Sequence, residues 1–461
     1  MLKLLEVYGL RGFAEKQTLR FSVPNGERGS GLTILVGANN AGKSTAIEAL
    51  RAIALWNGQN PSFSVGKRNH DAGDQIFIRI VGDDNRETTI KSIRSGSSET
   101  EISKTNKEIE SGALLVLPSR RVFNPYFSRA PTSRSHYMAQ MQSQPIRSSS
   151  LDPFTSRLFE IEKNRDSFDD ELRKVIDPVP NWSIDQMDTG QHFLKIRKGN
   201  TTHSSEGLGE GLVSLLYIID ALYDAKDGHT IAIDEPELSL HPALQRKLAA
   251  LFMEHSRTRQ IILSTHSPYF ACLEALANGG TIARVHVVNE TSKISQLTTS
   301  TAQAILGLMK NQNNPHILGL NAQEVFFIED QVILVEGQED VIFFQRVQEE
   351  IKIPLAGTFF GWGVGGAENM EKIAAVLNDL GYSKVVGILD ANRANLVAEL
   401  TTKFPTYHFF AIPTNDVRTK KAVQCKAAIV GLLNDDNTSI RPEYVAQTHN
   451  LFVKANQYLS S

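Results

Sequence analysis

The stretch Gly37-Ala38-Asn39-Asn40-Ala41-Gly42-Lys43-Ser44-Thr45 constrains this chain more than any other. An unbroken apolar run, Leu32–Val36, precedes it, and Ala46-Ile47-Glu48-Ala49-Leu50-Arg51, a good helix former, follows. Strand, glycine-rich loop and helix in that order satisfy GxxxxGK[ST], the phosphate-cradling loop. Glycines let backbone N–H groups converge on a phosphate at a helix N-terminus, where the dipole favours an anion. Lys43 is placed to neutralise β/γ-phosphate charge and the Ser44 hydroxyl to ligate Mg²⁺, with Gly37, Asn39, Asn40, Gly42 and Thr45 completing an ATP-binding set. A chance glycine-rich turn would not bring strand, spacing and helix together.

A second apolar strand, Thr230-Ile231-Ala232-Ile233, ends in Asp234-Glu235-Pro236. An Asp at the carboxyl end of a strand beside the phosphate loop holds the Mg²⁺ shell, and an adjacent Glu polarises the attacking water as general base. The continuation Glu237-Leu238-Ser239-Leu240-His241-Pro242 goes beyond an ordinary strand-end turn. Asp234 to Pro242 resembles the Walker B and D-loop of ABC-type ATPases, in the branch of structural-maintenance, recombination-repair and overcoming-lysogenization-defect (OLD) proteins. Ile261-Ile262-Leu263-Ser264-Thr265-His266-Ser267-Pro268 resembles that branch's switch strand, with His266 where the γ-phosphate is sensed. Glu206-Gly207-Leu208-Gly209-Glu210-Gly211-Leu212 is similar to the ABC signature loop, with glycine in place of the usual serine. In the family that loop caps ATP bound to the other protomer, so the resemblance implies that Gly209 and Gly211 bind nucleotide and that the ATPase domains form a homodimer. It also implies a Q-loop glutamine, for which no residue stands out. Arg11 on the first strand reads equally as a nucleotide contact or a surface arginine.

The second half opens on another strand, Val332-Ile333-Leu334-Val335, running into Glu336-Gly337-Gln338-Glu339-Asp340. Further strands end at Gly361-Trp362-Gly363-Val364-Gly365-Gly366 and at Asp390-Ala391-Asn392. Two readings compete. Gly361, Gly363 and Gly366 satisfy the dinucleotide fingerprint GxGxxG, which leaves Glu336 and Asp340 without a role. Alternatively, acidic residues at the carboxyl ends of parallel strands converge on one sheet edge, where hard oxygen ligands suit Mg²⁺ or Mn²⁺. VEGxxD followed by LDxN resembles the Toprim domain of topoisomerases, primases and OLD-family nucleases. That resemblance makes Glu336 a metal ligand or general base, and Asp340 and Asp390 metal ligands. Asn392 stands where the family has a second aspartate; it offers a neutral oxygen and one charge fewer. Asp416, after the next strand, is the best substitute ligand; the resemblance to OLD-like domains implies that Lys420 or Lys421 contacts the scissile phosphate, and a solvated helix lysine is the other reading.

The expected fold class is α/β: an N-terminal ABC-type P-loop ATPase domain at 1–300, a linker at 301–328, and a C-terminal Toprim-like parallel-sheet domain at 329–461 ending in a helical tail. This is the layout of the OLD family. The family implies an ATP-regulated, divalent-metal-dependent DNA endonuclease, nicking or cleaving, in bacterial defence against phage. A homodimer or higher oligomer and a co-encoded defence partner belong to the same implication. The alternative is a non-cleaving ATPase scaffold or sensor with a degenerate Toprim domain that acts through a partner. Because Lys+Arg 48 against Asp+Glu 51 leaves a net charge of -3, DNA would need a local basic track. Residues 118–150 offer Arg120, Arg121, Arg129, Arg134 and Arg147 with no acidic residue, interleaved with Phe123, Tyr126, Phe127 and Tyr137. They read equally as phosphate contacts with stacking surfaces or as a solvated loop or oligomerisation insert. Cys272 and Cys425, with no CxxC pairing, argue against a disulfide framework or zinc knuckle and fit a reducing compartment. With no secretory signal or membrane-length apolar run visible, the expectation is a cytoplasmic protein.

Overall fold

The computed structural model describes residues 1–54, 60–105, 113–130, 132–143, 151–309, 327–422 and 427–461. The chain divides into two compact units, Met1–Gln296 and Leu297–Ser461. No helix among the described residues is long and apolar enough to cross a membrane.

The first unit is organised by a six-stranded sheet in the order Thr291–Gln296, Thr281–Val288, Leu32–Val36, Gln260–Ser264, Thr230–Asp234, Leu114–Leu117. All pairs are parallel except the first, where Thr281–Val288 and Thr291–Gln296 form a hairpin. The three strands Leu32–Val36, Thr230–Asp234 and Gln260–Ser264 are buried at every position. That is why they read as continuous apolar runs instead of alternating ones. A five-stranded antiparallel sheet built on Leu2–Tyr8 and Phe77–Gly82 lies beside it, and the Ser/Thr-rich stretch after residue 82 supplies its last two strands, Glu87–Ser92 and Thr100–Thr105. Leu5, Val7, Ile78 and Ile80 pack with Ala46, Ala49 and Leu50 of helix Lys43–Ala54 into one core, so this helix is fixed between the two sheets.

The basic segment does not form a solvated arm. Phe123, Phe127 and Tyr137 are buried, and Phe123 packs against Phe154 and Tyr217, which stack with ring centroids 3.9 Å apart. Arg134 pairs with Asp224, and the Arg129 guanidinium sits 5.4 Å from the Phe159 ring. The aromatic residues expected to stack bases therefore build a lobe core on helix Glu210–Asp224. Only Arg120 and Arg129 remain exposed, and Arg147 lies outside the described residues.

The second unit holds a four-stranded all-parallel sheet in the order Thr358–Phe359, Val332–Val335, Val385–Leu389, His408–Ala411. The central pair is fully buried. Helix Pro442–Ser460 is no tail: Leu451, Phe452, Ala455 and Leu459 belong to the same core as Ile333, Val335 and Phe344. The expected linker at 301–328 is also corrected in part. Helix Thr299–Met309 packs on helix Ala367–Asp379, and the hydroxyls of Thr298 and Thr301 donate to Asp379 Oδ2 at 2.8 and 2.6 Å. The stretch 310–326 lies outside the described residues.

Candidate functional site

In the first unit the loops after three adjacent strands carry the nucleotide-site residues. Gly37 (φ +142) and Gly42 (φ +113) adopt backbone that favours glycine, and a Cβ on Gly37 would lie 2.0 Å from Val285 O. Asn40 also takes a left-handed backbone (φ 61), and it is exposed together with Asn39. Lys43 Nζ donates to Gly37 O and Ala38 O at 2.9 and 3.0 Å and lies 2.9 Å from His266 Nε2. Burial pulls the Lys43 ammonium down to about 8, opposed by the attraction of Asp234, Glu235 and Glu237. Burial and the neighbouring Lys43 charge likewise lower His266, so its neutral ring is favoured.

Asp234 closes its strand nearly buried, and burial pushes its carboxyl up, while the hydroxyls of Ser264 and Ser44 against it pull it down. Its Oδ1 is buried without a hydrogen-bond partner. A buried carboxylate oxygen left open beside the Ser44 hydroxyl fits a cation shell. Glu235 holds a left-handed backbone (φ 47), donates its N–H to Ser264 O at 2.8 Å, and sets Oε1 3.8 Å from His266 Nε2. Thr45 is buried in the first turn of the following helix. Gly209 caps helix Glu210–Asp224 with open space around it, whereas a Cβ on Gly211 would lie 2.4 Å from Ser239 O. The signature helix is thus pressed against the D-loop, and Ser239 Oγ donates to Glu210 Oε2 at 3.0 Å.

In the second unit the acidic residues follow Val332–Val335, Val385–Leu389 and His408–Ala411, at the carboxyl ends of adjacent parallel strands. Asp390 N donates to Glu336 Oε1 at 3.1 Å, and Ala391 N donates to Thr414 O at 2.8 Å. Burial, then the charges of Glu336, Asp340 and Asp416, push Asp390 up to about 8. Burial with the charges of Glu336 and Asp416 pushes Asp340 up to about 6, against the Gly337 N–H, which donates to Asp340 Oδ2 at 2.9 Å. Asp340 therefore also caps helix Gln338–Ile351. Asp416 accepts from Arg418 N at 2.9 Å and pairs with Lys420, which reaches Glu339 Oε2 at 3.0 Å. Among the described residues no three of these acids are already spaced as a closed ion site. The donor set is all carboxylate oxygens, with Asp340 and Asp390 raised in proton affinity, and is the chemistry that a hard divalent cation relieves.

Asn392 differs from these acids in its surroundings. It is exposed on the short turn Ala391–Arg393 and makes no side-chain hydrogen bond among the described residues. Lys420 is occupied by Asp416 and Glu339, so in this state it is an ion-pair partner and not a free phosphate ligand. The glycine run finds a packing role. A Cβ on Gly363 would lie 2.6 Å from Gly337 Cα, and Val364 N and Gly366 N donate to Val335 O and Glu336 O, each at 2.8 Å. Those N–H groups are spent on the neighbouring strand end, which removes the basis of the dinucleotide reading.

Residues 32–271 match a protein family described as "AAA domain, putative AbiEii toxin, Type IV TA system". The chain belongs to this AAA-domain family. A curated relative, Endonuclease GajA of Bacillus cereus (strain VD045), is 30% identical over 156 residues, 33% of this chain and 25% of that protein. The match thus spans a quarter of the relative's length. Solved structures similar to this chain include the SMC head domain from Thermotoga maritima, 16% identical over 64% of this chain and 99% of that one, with a TM-score of 0.38. Another is the Pyrococcus furiosus Smc head domain with an extended coiled coil, bound to the C-terminal domain of ScpA, 14% identical over 67% and 99%, with a TM-score of 0.43. The OLD-family resemblance carried by the motifs fits the AAA-domain match and the endonuclease relative.

Several contacts around the phosphate loop and switch strand of this AAA-domain unit have no motif to announce them. Glu237 accepts from Thr265 Oγ1 and His266 N at 2.8 and 2.5 Å, so one carboxylate fixes the switch loop. Arg11 spans neither nucleotide nor solvent alone: it pairs at 2.8 Å with Glu48, which also binds Lys67 at 2.8 Å. Glu48 sits on the first helix after the phosphate loop, where an acid flanked by two distant basic residues leaves no local pattern to read.

Proposed function

We propose that this chain is an ATP-regulated, divalent-metal-dependent DNA endonuclease, cytoplasmic and active as a homodimer or higher oligomer of ATPase domains, in defence against phage. The observation that carries the nuclease half is the gathering of Glu336, Asp340, Asp390 and Asp416 at one sheet edge, where burial and the neighbouring acids raise Asp390 and Asp340. The endonuclease relative supports a nucleic-acid phosphodiester as substrate.

In the first unit the loop Gly37–Thr45 and Lys43 bind the phosphates, Ser44 and Asp234 hold Mg²⁺, and Glu235 accepts the proton of the attacking water. Lys43 must leave Gly37 O and Ala38 O to do so, which ties nucleotide binding to a local rearrangement. Gly209 and Gly211 at the signature helix meet the nucleotide of the opposing protomer. In the second unit Glu336, Asp340, Asp390 and Asp416 would hold Mg²⁺ or Mn²⁺, which supplies charge neutralisation at the scissile phosphate and lowers the pKa of a bound water. Glu336 accepts a proton, and Lys420, released from Asp416, neutralises the phosphate. Asn392 lies outside the ligand set.

The test is incubation of purified protein with supercoiled plasmid in Mg²⁺ or Mn²⁺, with and without ATP. Nicking or linearisation that disappears in Glu336→Ala and Asp390→Ala is the expected result. Nicking that survives both substitutions removes the site. Absence of nicking in either metal, with or without a co-encoded partner, replaces the proposal with a non-cleaving ATPase scaffold.

A further inference from the structure

Arg121 is the least expected residue in the first unit. It lies in a basic segment that reads from sequence as DNA-contacting, yet its side chain is 2% exposed. Burying a guanidinium is costly unless its donors are satisfied. Here Nε donates to Ser214 Oγ at 2.8 Å, one terminal nitrogen to Pro118 O at 2.6 Å and Asp234 O at 2.8 Å, and the other to Glu235 O at 2.7 Å. These acceptors come from separate elements: the loop after Leu114–Leu117, the end of Thr230–Asp234, and helix Glu210–Asp224. Burial lowers its pKa to about 10, which leaves it cationic at neutral pH, with Asp234, Glu237 and Glu235 favouring the charge.

The geometry at Glu235 gives this clamp a function. Glu235 has a left-handed backbone, uncommon outside glycine and asparagine, so something must hold it there. Its N–H is held by Ser264 O and its C=O by Arg121, one on each side of the residue. The direction of the Glu235 side chain follows from this fixed backbone. The fourth bond, to Ser214, lies within the helix whose N-terminus carries Gly209, Glu210 and Gly211. A small shift of that helix along its axis moves Ser214 and, through a rigid planar fork, the Glu235 peptide.

We propose that Arg121 is a positioning residue for ATP hydrolysis, transmitting the placement of the signature helix through Ser214 to the general base Glu235 of the same protomer. Turnover depends on it and nucleotide affinity does not. The inference rests on Glu235 being the general base, part of the function proposed above.

The experiment measures kcat, KM and ATP affinity for the full chain carrying Arg121→Lys, Ser214→Ala, both together, and Glu235→Gln. Lysine keeps the charge but cannot bridge four acceptors in one plane. Arg121→Lys is expected to lower kcat ~10- to ~100-fold while ATP affinity changes less than ~3-fold. Ser214→Ala, which leaves the carbonyl contacts intact, is expected to lower kcat ~3- to ~10-fold, and the double variant to be no worse than Arg121→Lys alone. An unchanged kcat in Arg121→Lys, or losses of affinity and melting temperature matching the loss of kcat, overturns the positioning role. Additive losses in the double variant remove Ser214 from the path and overturn the transmission. If Glu235→Gln hydrolyses ATP like wild type, the assignment of the base fails first and the inference with it. If Glu235→Gln is inactive and Arg121→Lys is normal, only the inference fails.

Discussion

The nucleotide site of the first unit and the acidic edge of the second are both built where parallel strands hand over to loops, yet they handle charge in opposite ways. In the first, Lys43 rests on backbone carbonyls of its own loop and Glu237 is satisfied by the switch strand. Its main unsatisfied atom is a single oxygen of Asp234. In the second, carboxylates face one another, and Asp390 is driven up to about 8. At the first edge a lysine held by its own loop's carbonyls stands beside a buried acid, so an anion competes with those carbonyls for Lys43. The second is under electrostatic pressure that a proton or a cation relieves. A motif of partnered groups and a motif of repelling groups thus ask for different ligands from the same kind of scaffold.

The most severe way to break this contrast is at Lys43. Lys43→Ala is expected to reduce ATP affinity more than ~100-fold, measured by calorimetry, while Asp390→Ala leaves it unchanged. Loss in both variants would mean the two edges are not separate ligand sites. Next in size, Glu235→Gln should cut turnover about 100-fold and retain ATP, moving the protein to a dimer in light scattering. A monomer with trapped ATP would disprove the head-to-tail pairing. Third, Mg²⁺ or Mn²⁺ at about 100 times its Kd should stabilise the second unit by about 2.7 kcal/mol in thermal melts, an effect abolished by Glu336→Ala. Equal stabilisation of that variant rules out the acidic edge as the metal seat.

The pH dependence sharpens the comparison further. A carboxyl whose folded pKa is raised binds its proton more tightly when folded, so its contribution is full at low pH and is lost as pH rises. For Asp390 the window runs from 3.8, its ordinary value, to about 8. Metal-free protein should therefore lose stability in its second unit between these limits, and Asp390→Asn should flatten the curve. A metal-free profile unaltered by that substitution would show that the acids do not press on one another. The smallest effect is expected at the exposed Ser239–Glu210 contact, where Glu210→Ala should cost about 0.5 kcal/mol of melting stability. A loss several times larger would make the D-loop contact a principal support of the signature helix.

Contiguous features were legible from sequence. The phosphate loop, the strand ending in Asp234, the switch strand ending at His266 and the strand before Glu336 each keep their signal within about ten residues. Features made by distant groups were not. Arg121 reads as one arginine among several until Ser214, Asp234 and Glu235 are folded around it. Phe123 and Phe127 read as stacking surfaces because a surface aromatic and a core aromatic are the same letter; only helix Glu210–Asp224 and Phe154 decide between them. Asn392 carries the Toprim spacing, but the turn Ala391–Arg393 leaves it exposed, which spacing alone does not tell. Helix Pro442–Ser460 looks terminal in the chain and is central in its core, since order along a chain says nothing about depth.

The contact between Gly363 and Gly337 has a consequence for how this unit tolerates change. Two loops distant in sequence meet where Gly363 has no room for a single extra carbon, although a Cβ on Gly337 would meet open space. Whatever replaced Gly363 would have to push the backbone bearing Glu336, so the acid is located by an atom that is missing and not by one that is present. Such a fit admits no partial compensation from a better hydrogen bond or a larger neighbour. The constraint is one-sided: a mutational scan would find Gly363 intolerant of any side chain whatever its charge or polarity, and Gly337 open to small ones.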